Sequence, residues 1–599
     1  MTMTLLTGTT LKDACNAHQD RFTVPYLTSW ILRNATVWLL HFHDQGRKLG
    51  MPIRFDNSYA QMPDRFFERV MPARYPKARL LRVNAALAEE LGMDPDWLET
   101  RQGAAFLAGN EMADGAEPIA QAYAGHQFGG WVPQLGDGRA ILLGEVIDRE
   151  GRRRDIQLKG AGRTPWSRGG DGKSPLGPVL REYIVSEAMV ALGVPATRAL
   201  GAVATGEEVQ REGPEPGGVL TRVAASHIRV GTFQYFHARD DREGLRLLGE
   251  HVIARHYPEL MGQEQPWMAL LEAVLKRQAA LVAKWMQLGF VHGVMNTDNM
   301  AVSGETIDFG PCAFLDTFSF GKVFSSIDRG GRYAWDQQPL MAHWNLVRFA
   351  ETLLPLLTSV DEEKVEAAEA VLGGFENHFQ DAYYRGFADK LGLKRVDSGT
   401  GLWIRSTLEL LESEKVDFTR FFTGLCEFAH GEEDGLRAEF SVEDKLDAWL
   451  VEWKALTGDD PDLRRLAACN PRRIPRNHRV EEVIVAAAAQ NCSRTRGGEV
   501  NLCLADQRVE GVASEAVQVG GCDAHGRLGG LLGLHDGGAH DGVVHRHASH
   551  NDGRIAHRLF CAAAALFDVL PRIPRAACSP SCRSSPSRRR RPTCRTATR

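Results

Sequence analysis

"FVHGVMNTDNMAVSGETIDFG" occupies residues 290–310. His292-Gly293 is followed by Val294, then Asp298-Asn299, then Asp308-Phe309-Gly310. Asn299 and Asp308 carry oxygen ligands at either side of a short strand–turn–strand with Ser303-Gly304 at the turn. Two such ligands suit Mg²⁺, which is held by one or two protein oxygens plus phosphates. Asp-Phe-Gly alone is a three-letter match. Coupled to His292-Gly293 upstream and Asn299 between, it is specific.

Kinase-type phosphotransferases often carry His-Gly-Asp, then an Asn, then Ile-Asp-Phe-Gly. Here the position of the proton-accepting Asp holds the isopropyl group of Val294. The stretch is therefore either a catalytically dead kinase or an enzyme doing different chemistry with the same nucleotide.

The bulk numbers set bounds. At 599 residues the chain is long enough for several domains of roughly 100–200 residues each. Hydrophobic residues make up 43% and charged residues 25%, an ordinary globular balance that leaves room for a large core. A formal net charge of −5 gives no global argument for nucleic acid. The most apolar candidate span, Tyr26 to Phe42, is broken by Arg33 and Asn34, and the N-terminus lacks a signal-peptide pattern. Before residue 490 the only cysteines are Cys15, Cys312, Cys426 and Cys469, so the main body has no disulfide framework. A cytoplasmic protein with no nucleic-acid or membrane partner is expected.

The organisation is uneven. Residues 1–50 read as an upstream extension or a variable arm, with the patterned sequence opening at Met51. "RAILLGEVI" (139–147) and "RDIQLKG" (154–160) are strand-like. "PLGPVLREYIVSEAMVALG" (175–193) and "WMALLEAVLKRQAALVAKWMQLG" (267–289) have helical spacing and end at glycine. After 335, "HWNLVRFAETLLPLL" and "DEEKVEAAEAVLGGFENHFQDAYYRGFADKLGL" are helical. Strands first and helices later predict two lobes with a cleft near residues 290–310. The tail, 491–599, has sixteen Arg, thirteen Gly, seven His and no Lys, Trp or Tyr. Its cysteines and histidines lack paired zinc spacing, and its Arg run has no interleaved aromatics to stack bases. It reads as disordered or out-of-frame sequence and receives no function.

Two further clusters carry chemistry. In "QLGDGRAILLGEV" (134–146), Gly136 and Gly138 let backbone amides approach phosphate oxygens, and Arg139 adds a charge-assisted contact. A Gly-Asp-Gly hairpin turn is the bland alternative, and G-x-x-x-x-G-K-[ST] is absent. In "IQLKGAGRTPWSRGGDGKSPLGPVLREYIVSEAM" (156–189), Lys159 ends a strand and Glu182 lies 23 residues on, inside the following helix. Such a pair can aim an ammonium at nucleotide phosphates. The basic loop between them holds Arg163, Arg168, Asp171, Gly172 and Lys173; an ordinary solvated loop is the alternative. Arg222 and Arg229 are candidate phosphate clamps if a turn or helix brings them together. His126 and His227 read as structural.

Together "QAYAGHQFGGWVPQLGDGRAILLGE", "QLKGAGRTPWSRGGDGKSPLGPVLREYIVSEAM", "FVHGVMNTDNMAVSGETIDFGPCAFLD" and "SIDRGGRYAW" resemble the selenoprotein O family of protein adenylyltransferases. The resemblance runs from about residue 52 to about residue 489. It implies an α+β, protein-kinase-like (pseudokinase) two-lobed fold, with a mixed α/β N-lobe over 51–235 and a mainly helical C-lobe over 236–490. It also implies transfer of AMP rather than phosphate, with ATP bound in reverse so that its α-phosphorus faces the acceptor.

Carried over by position, Gly136, Gly138, Arg139, Lys159, Asp171, Gly172, Arg222, Arg229 and Asp308 contact the nucleotide. Glu182 holds Lys159, Asn299 and Asp308 bind Mg²⁺, and Asp298 accepts the proton. Mn²⁺ can replace Mg²⁺, since both accept octahedral oxygen ligands. The expected partners are ATP and proteins bearing Ser, Thr or Tyr hydroxyls, and UMP transfer from UTP is a variant of the same chemistry. The family's C-terminal end, with a Cys or selenocysteine in some members, is not recognisable here. The competing readings are a kinase-like phosphotransferase and an ATP-binding pseudokinase scaffold.

Overall fold

The computed structural model describes residues 53–495 except 359, 459 and 460. The readings made for residues 1–50 and for most of the tail lie outside the described residues. The last described helix, Asn477–Thr495, runs a few residues past position 491.

The N-terminal half is built on one antiparallel sheet. Its strands are β1 (Phe67–Arg69), β2 (Arg79–Val83), β3 (Ile119–Gln121), β6 (Ala140–Ile147), β7 (Arg153–Lys159), β8 (Ser174–Pro175), β9 (Arg198–Gln210) and β10 (Pro214–Ala224). The order is β1-β3-β6-β7-β10-β9-β2, with β8 on β10. The intervening β4 (Gly125–Gln127) and β5 (Gly130–Val132) form a separate hairpin.

The predicted strands at 139–147 and 154–160 are β6 and β7, adjacent at the centre. Strand β7 alternates Asp155-Ile156-Gln157-Leu158-Lys159, a pattern that ordinarily marks one wet face. Here both faces are buried. Ile156 and Leu158 enter an apolar layer, while Asp155, Gln157 and Lys159 form a buried polar row. Register extends that row, since Arg222 of β10 lies opposite Gln157 and Glu145 of β6 lies opposite Asp155.

Two carboxylates opposed across a sheet repel one another. Arg255, from the helix Arg242–His256, bridges them: its Nη1 is 3.1 Å from Glu145 and its Nη2 is 2.6 Å from Asp155. Asp155 also accepts from the backbone N–H and the Nδ1 of His227, both at 2.9 Å. The structural reading of His227 matches this placement.

The helix Leu176–Ala191 packs on β9 and β10 and presents Glu182 to the polar row. It ends where predicted: Gly193 adopts φ +74°, a conformation that favours glycine. The helix Pro266–Gln287 centres the helical half, joined by Gln338–Leu353, Asp361–Leu372 and Phe375–Lys390. The last two split the long helical run predicted after 361, with Gly373-Gly374 at the break. A continuous core including Leu271, Val282, Phe290, Phe309, Phe349 and Phe387 fills the space between them.

Residues 290–310 cross this core. β11 (Phe290–Val291) pairs β12 (Ala313–Phe314). His292 is buried, stacks on Trp285 at 5.3 Å, and lies 2.9 Å from the Ile307 carbonyl through Nε2. The predicted strand–turn–strand is reduced to a single antiparallel bridge, Met300 to Thr306, around Ser303-Gly304.

Burial holds His227 and His251 at pKa values of about 4 and lowers His256 well below its ordinary value. These imidazoles are neutral in the fold but protonate near 6.5 when unfolded. The stability they supply is complete above pH 6.5 and is lost as pH falls toward 4, about 3 kcal/mol for a shift of this size. Thermal melting of the wild type is therefore expected to fall steeply between pH 6.5 and 4.5. His251→Phe, which keeps the ring against Tyr59, should flatten that slope.

Candidate active site

The polar row opens into a cavity of about 590 Å³, within the usual range for small-ligand sites. Gly136, Gly138, Arg139, Lys159, Asp171, Gly172, Arg222, Arg229, Asp298, Asn299 and Asp308 all line it. Glu182 sits beneath, fully buried. Arg168 and Lys173 of the basic loop line it too, while Arg163, His126 and His227 are not among its lining residues. Seven cationic side chains and four carboxylates form the wall, a surplus that fits an anion.

Glu182 organises the centre. Its Oε2 accepts from Lys159 Nζ at 2.6 Å, and its Oε1 accepts from Arg222 Nε at 2.7 Å. Lys159 also donates to Asp308 Oδ1 at 2.8 Å, and Arg222 to Gln157 Oε1 at 3.2 Å. Burial opposes ionisation of Glu182, but Arg222 and Lys159 outweigh it and hold its carboxyl below the ordinary value. Asp308 follows the same logic. Burial raises it, while Lys159, Arg222 and Arg139 together drive it well below the carboxylate range. Asp308 has φ +66°, a strained backbone for a non-glycine residue and a common mark of functional sites.

The two glycine-rich segments form one interlocked structure. Gly136 has φ +72°, and a Cβ there would lie 2.4 Å from the Trp166 ring. Thr164 Oγ1 donates to the Asp137 carbonyl at 2.7 Å, and Ser167 Oγ donates to the Gly138 carbonyl. Residues 134–139 are not a turn of paired strands, because β5 and β6 are not neighbours. The loop's far end is tied to the turn of the β9–β10 hairpin. Arg211 reaches both oxygens of Asp171, at 3.0 and 3.1 Å.

Arg222 and Arg229 converge, as their expected role requires, because β10 ends between them and Arg229 precedes the helix Val230–His237. Arg229 lies over the Tyr123 ring at 4.3 Å, donates to the His227 carbonyl at 3.2 Å and is 3.8 Å from Asp137.

Asp298 is buried in the cavity wall. Its Oδ2 accepts from Gln127 Nε2 at 3.0 Å, while its Oδ1 has no hydrogen-bond partner among the described residues. Burial pushes its pKa up to about 6, against the opposing Gln127 hydrogen bond and Arg229 charge. Asn299 donates through Nδ2 to the Val294 carbonyl at 3.0 Å, which leaves its Oδ1 for a cation. With ionised Asp308 this is a hard-oxygen pair that fits Mg²⁺ or Mn²⁺ completed by phosphate oxygens. Among the described residues no cluster of three or more His, Cys, Asp or Glu side chains could hold a metal alone.

Sequence reasoning missed Tyr123, Gln127, Trp166, Arg211 and Asn296. Gln127 stands beside His126, and only His126 drew attention. It is Gln127 that reaches Asp298, while His126 lies 3.0 Å from Gln234 and packs against Trp131 and Trp344.

Residues 51–497 match the family described as protein adenylyltransferase SelO. The protein nucleotidyltransferase YdiU of Nitrobacter hamburgensis is 55% identical over 445 residues, covering 73% of this chain and 88% of the relative. The protein of the same name from Rhodopseudomonas palustris is 56% identical over 440 residues, covering 72% and 89%. That from Agrobacterium fabrum is 56% identical over 440 residues, covering 73% and 90%.

Glu182→Gln leaves two buried cations short of their shared counter-ion, and its expected cost is about 3–5 kcal/mol, read as a lowered denaturant midpoint. Gly136→Ala drives a methyl group into Trp166 and strains the loop. Its expected effect is a clear loss of nucleotide affinity by calorimetry, with a smaller loss of thermal stability than Glu182→Gln.

Proposed function

The chain belongs to the SelO protein adenylyltransferase family and is a nucleotidyltransferase, and on that premise we propose that it transfers AMP from ATP to Ser, Thr or Tyr hydroxyls of other proteins. The observation that carries this reading is the pairing of Val294 with Asp298. The usual position of a kinase base holds an isopropyl group. Four residues on, a buried carboxylate with one free oxygen faces the same cavity.

In this reading the described part of the chain has the two-lobed, kinase-like arrangement. The sheet-bearing N-lobe ends near 235, and the helical C-lobe continues to about 490. Residues 1–50 and 491–599 stay outside the catalytic unit. The triphosphate lies among Arg139, Lys159, Arg222 and Arg229, with Gly136, Gly138, Asp171 and Gly172 around the nucleotide. Glu182 keeps Lys159 aimed. Asn299 and Asp308 would hold Mg²⁺ or Mn²⁺, which when bound neutralises phosphate charge.

The nucleotide is reversed relative to a kinase, so the α-phosphorus faces the acceptor. The acceptor oxygen forms a bond to that phosphorus as the bond to the bridging oxygen breaks. Pyrophosphate departs with the electron pair, and the hydroxyl proton passes to Asp298. A pKa of about 6 leaves Asp298 largely ionised at neutral pH yet basic enough to accept a proton. Most of the acceleration comes from positioning and charge neutralisation by the basic wall. UMP transfer from UTP is the same displacement with another base. Among the described residues no helix is long and apolar enough to cross a membrane, and we place the reaction in the cytoplasm.

With ATP labelled at either the α- or the γ-phosphate and a cell lysate as acceptor, label from the α position alone should appear on protein. Asp308→Ala and metal chelation should each abolish it, and Asp298→Asn should lower its rate by roughly 10²–10⁴-fold. Label transferred only from the γ position would overturn the reading.

A further inference from the structure

The hairpin β4–β5 fastens directly onto the segment that carries Asp298. His126 donates its backbone N–H to Thr297 Oγ1 at 2.7 Å, Gln127 donates to Asp298 at 3.0 Å, and Phe128 donates its N–H to Asn296 Oδ1 at 3.1 Å. The turn is tight, with Phe128 at φ +52° and Gly129 at φ +83°. The loop 325–333 reaches the same point from the other side, since Tyr333 OH donates to Asn296 Oδ1 at 2.7 Å. The outer surfaces of hairpin and loop are therefore continuous with the wall that holds Asp298.

That surface is aromatic and basic. Trp131 is 41% exposed and Ile327 is 69% exposed. Trp131 packs on His126 at 4.9 Å, and His126 on Trp344 at 5.2 Å. The Arg332 guanidinium lies over Trp344 at 4.8 Å, and a Cβ on Gly129 would be 3.6 Å from it. At the other end of β5, Arg239 donates to the Pro133 carbonyl at 3.2 Å. Arg329 is exposed on the loop. Among the described residues none of these three arginines forms an ion pair. Asp328, the acid next to Arg329, accepts from the backbone N–H groups of Arg332 and Tyr333 instead, while Arg239 has the exposed Asp240 beside it in sequence. Strand β5 pairs only with β4, so its outer edge is free among the described residues.

We propose that the β4–β5 hairpin and the 325–333 loop form the docking surface for the acceptor protein, and that they select an extended acidic segment next to the modified hydroxyl. Carboxylates of that segment meet Arg332, Arg329 and Arg239, its backbone lies along β5, and Trp131 supplies apolar contact. This rests on the AMP-transfer reading and names its substrate class. None of the three arginines lines the nucleotide cavity, so recognition of acceptor and of nucleotide are separable.

The test uses two Ser-containing peptides that differ only in Glu or Lys flanks, with α-labelled ATP and Mg²⁺. The wild type should favour the Glu peptide by about tenfold in kcat/KM. Arg332→Glu should erase or reverse that preference while its affinity for ATP and its melting temperature stay near wild type. Trp131→Ala should raise KM for the Glu peptide and leave kcat nearly unchanged. Equal labelling of both peptides by the wild type, or a preference that survives Arg332→Glu, overturns the docking surface and leaves AMP transfer standing. Failure of the wild type to label either peptide or any lysate protein from the α position overturns both.

Discussion

One carboxylate holds two cations from two neighbouring strands. Glu182, on the Leu176–Ala191 helix, accepts from Lys159 at the end of β7 and from Arg222 on β10. All three are buried, where an unpaired charge costs several kcal/mol. The helix therefore has one rotation and one height on the sheet at which the charges match. Lys159 extends the constraint by also meeting Asp308, which ties the sheet to the segment carrying Asp298 and Asn299. Charge pairing and the shape of the cavity are the same fact.

A second buried network lies along the same row of β7. Glu145 and Asp155 would repel across the sheet, and Arg255 joins them. Asp155 then fixes His227, whose carbonyl receives Arg229. The position of Arg229 in the cavity thus depends on residues that never touch it. The cavity keeps a surplus of positive charge because its supporting carboxylates are already committed. In the proposed function that surplus would be met by the negative charge of a polyphosphate.

Much of this was legible in the sequence where the signal was local. β6, β7 and the helices after 175, 266 and 338 follow from apolar spacing and glycine stops. The Lys159–Glu182 pair was legible because a strand end and the next helix must pack together. Asn299 was legible because it shares one short loop with Asp308, whereas Asp298 came only with the family resemblance. The rest depends on partners distant in the chain. Gln127 and Asp298 are 171 residues apart, and Arg211 and Asp171 are 40 apart. No spacing rule links them. The alternation in β7 was itself ambiguous, since a polar face normally means water and here means a buried site. The split of the long helical run at Gly373-Gly374 shows the same limit, because a glycine pair inside a periodic pattern can bend, cap or do nothing until its neighbours decide.

In the proposed function the nucleotide lies reversed, with its α-phosphorus toward Asp298 and its remaining phosphates among the basic side chains. A crystal structure of the protein with a non-hydrolysable ATP analogue and Mg²⁺ measures this directly. The α-phosphorus is expected to be the phosphorus nearest Asp298, with the metal on Asn299 and Asp308. A γ-phosphorus nearest Asp298 would contradict it.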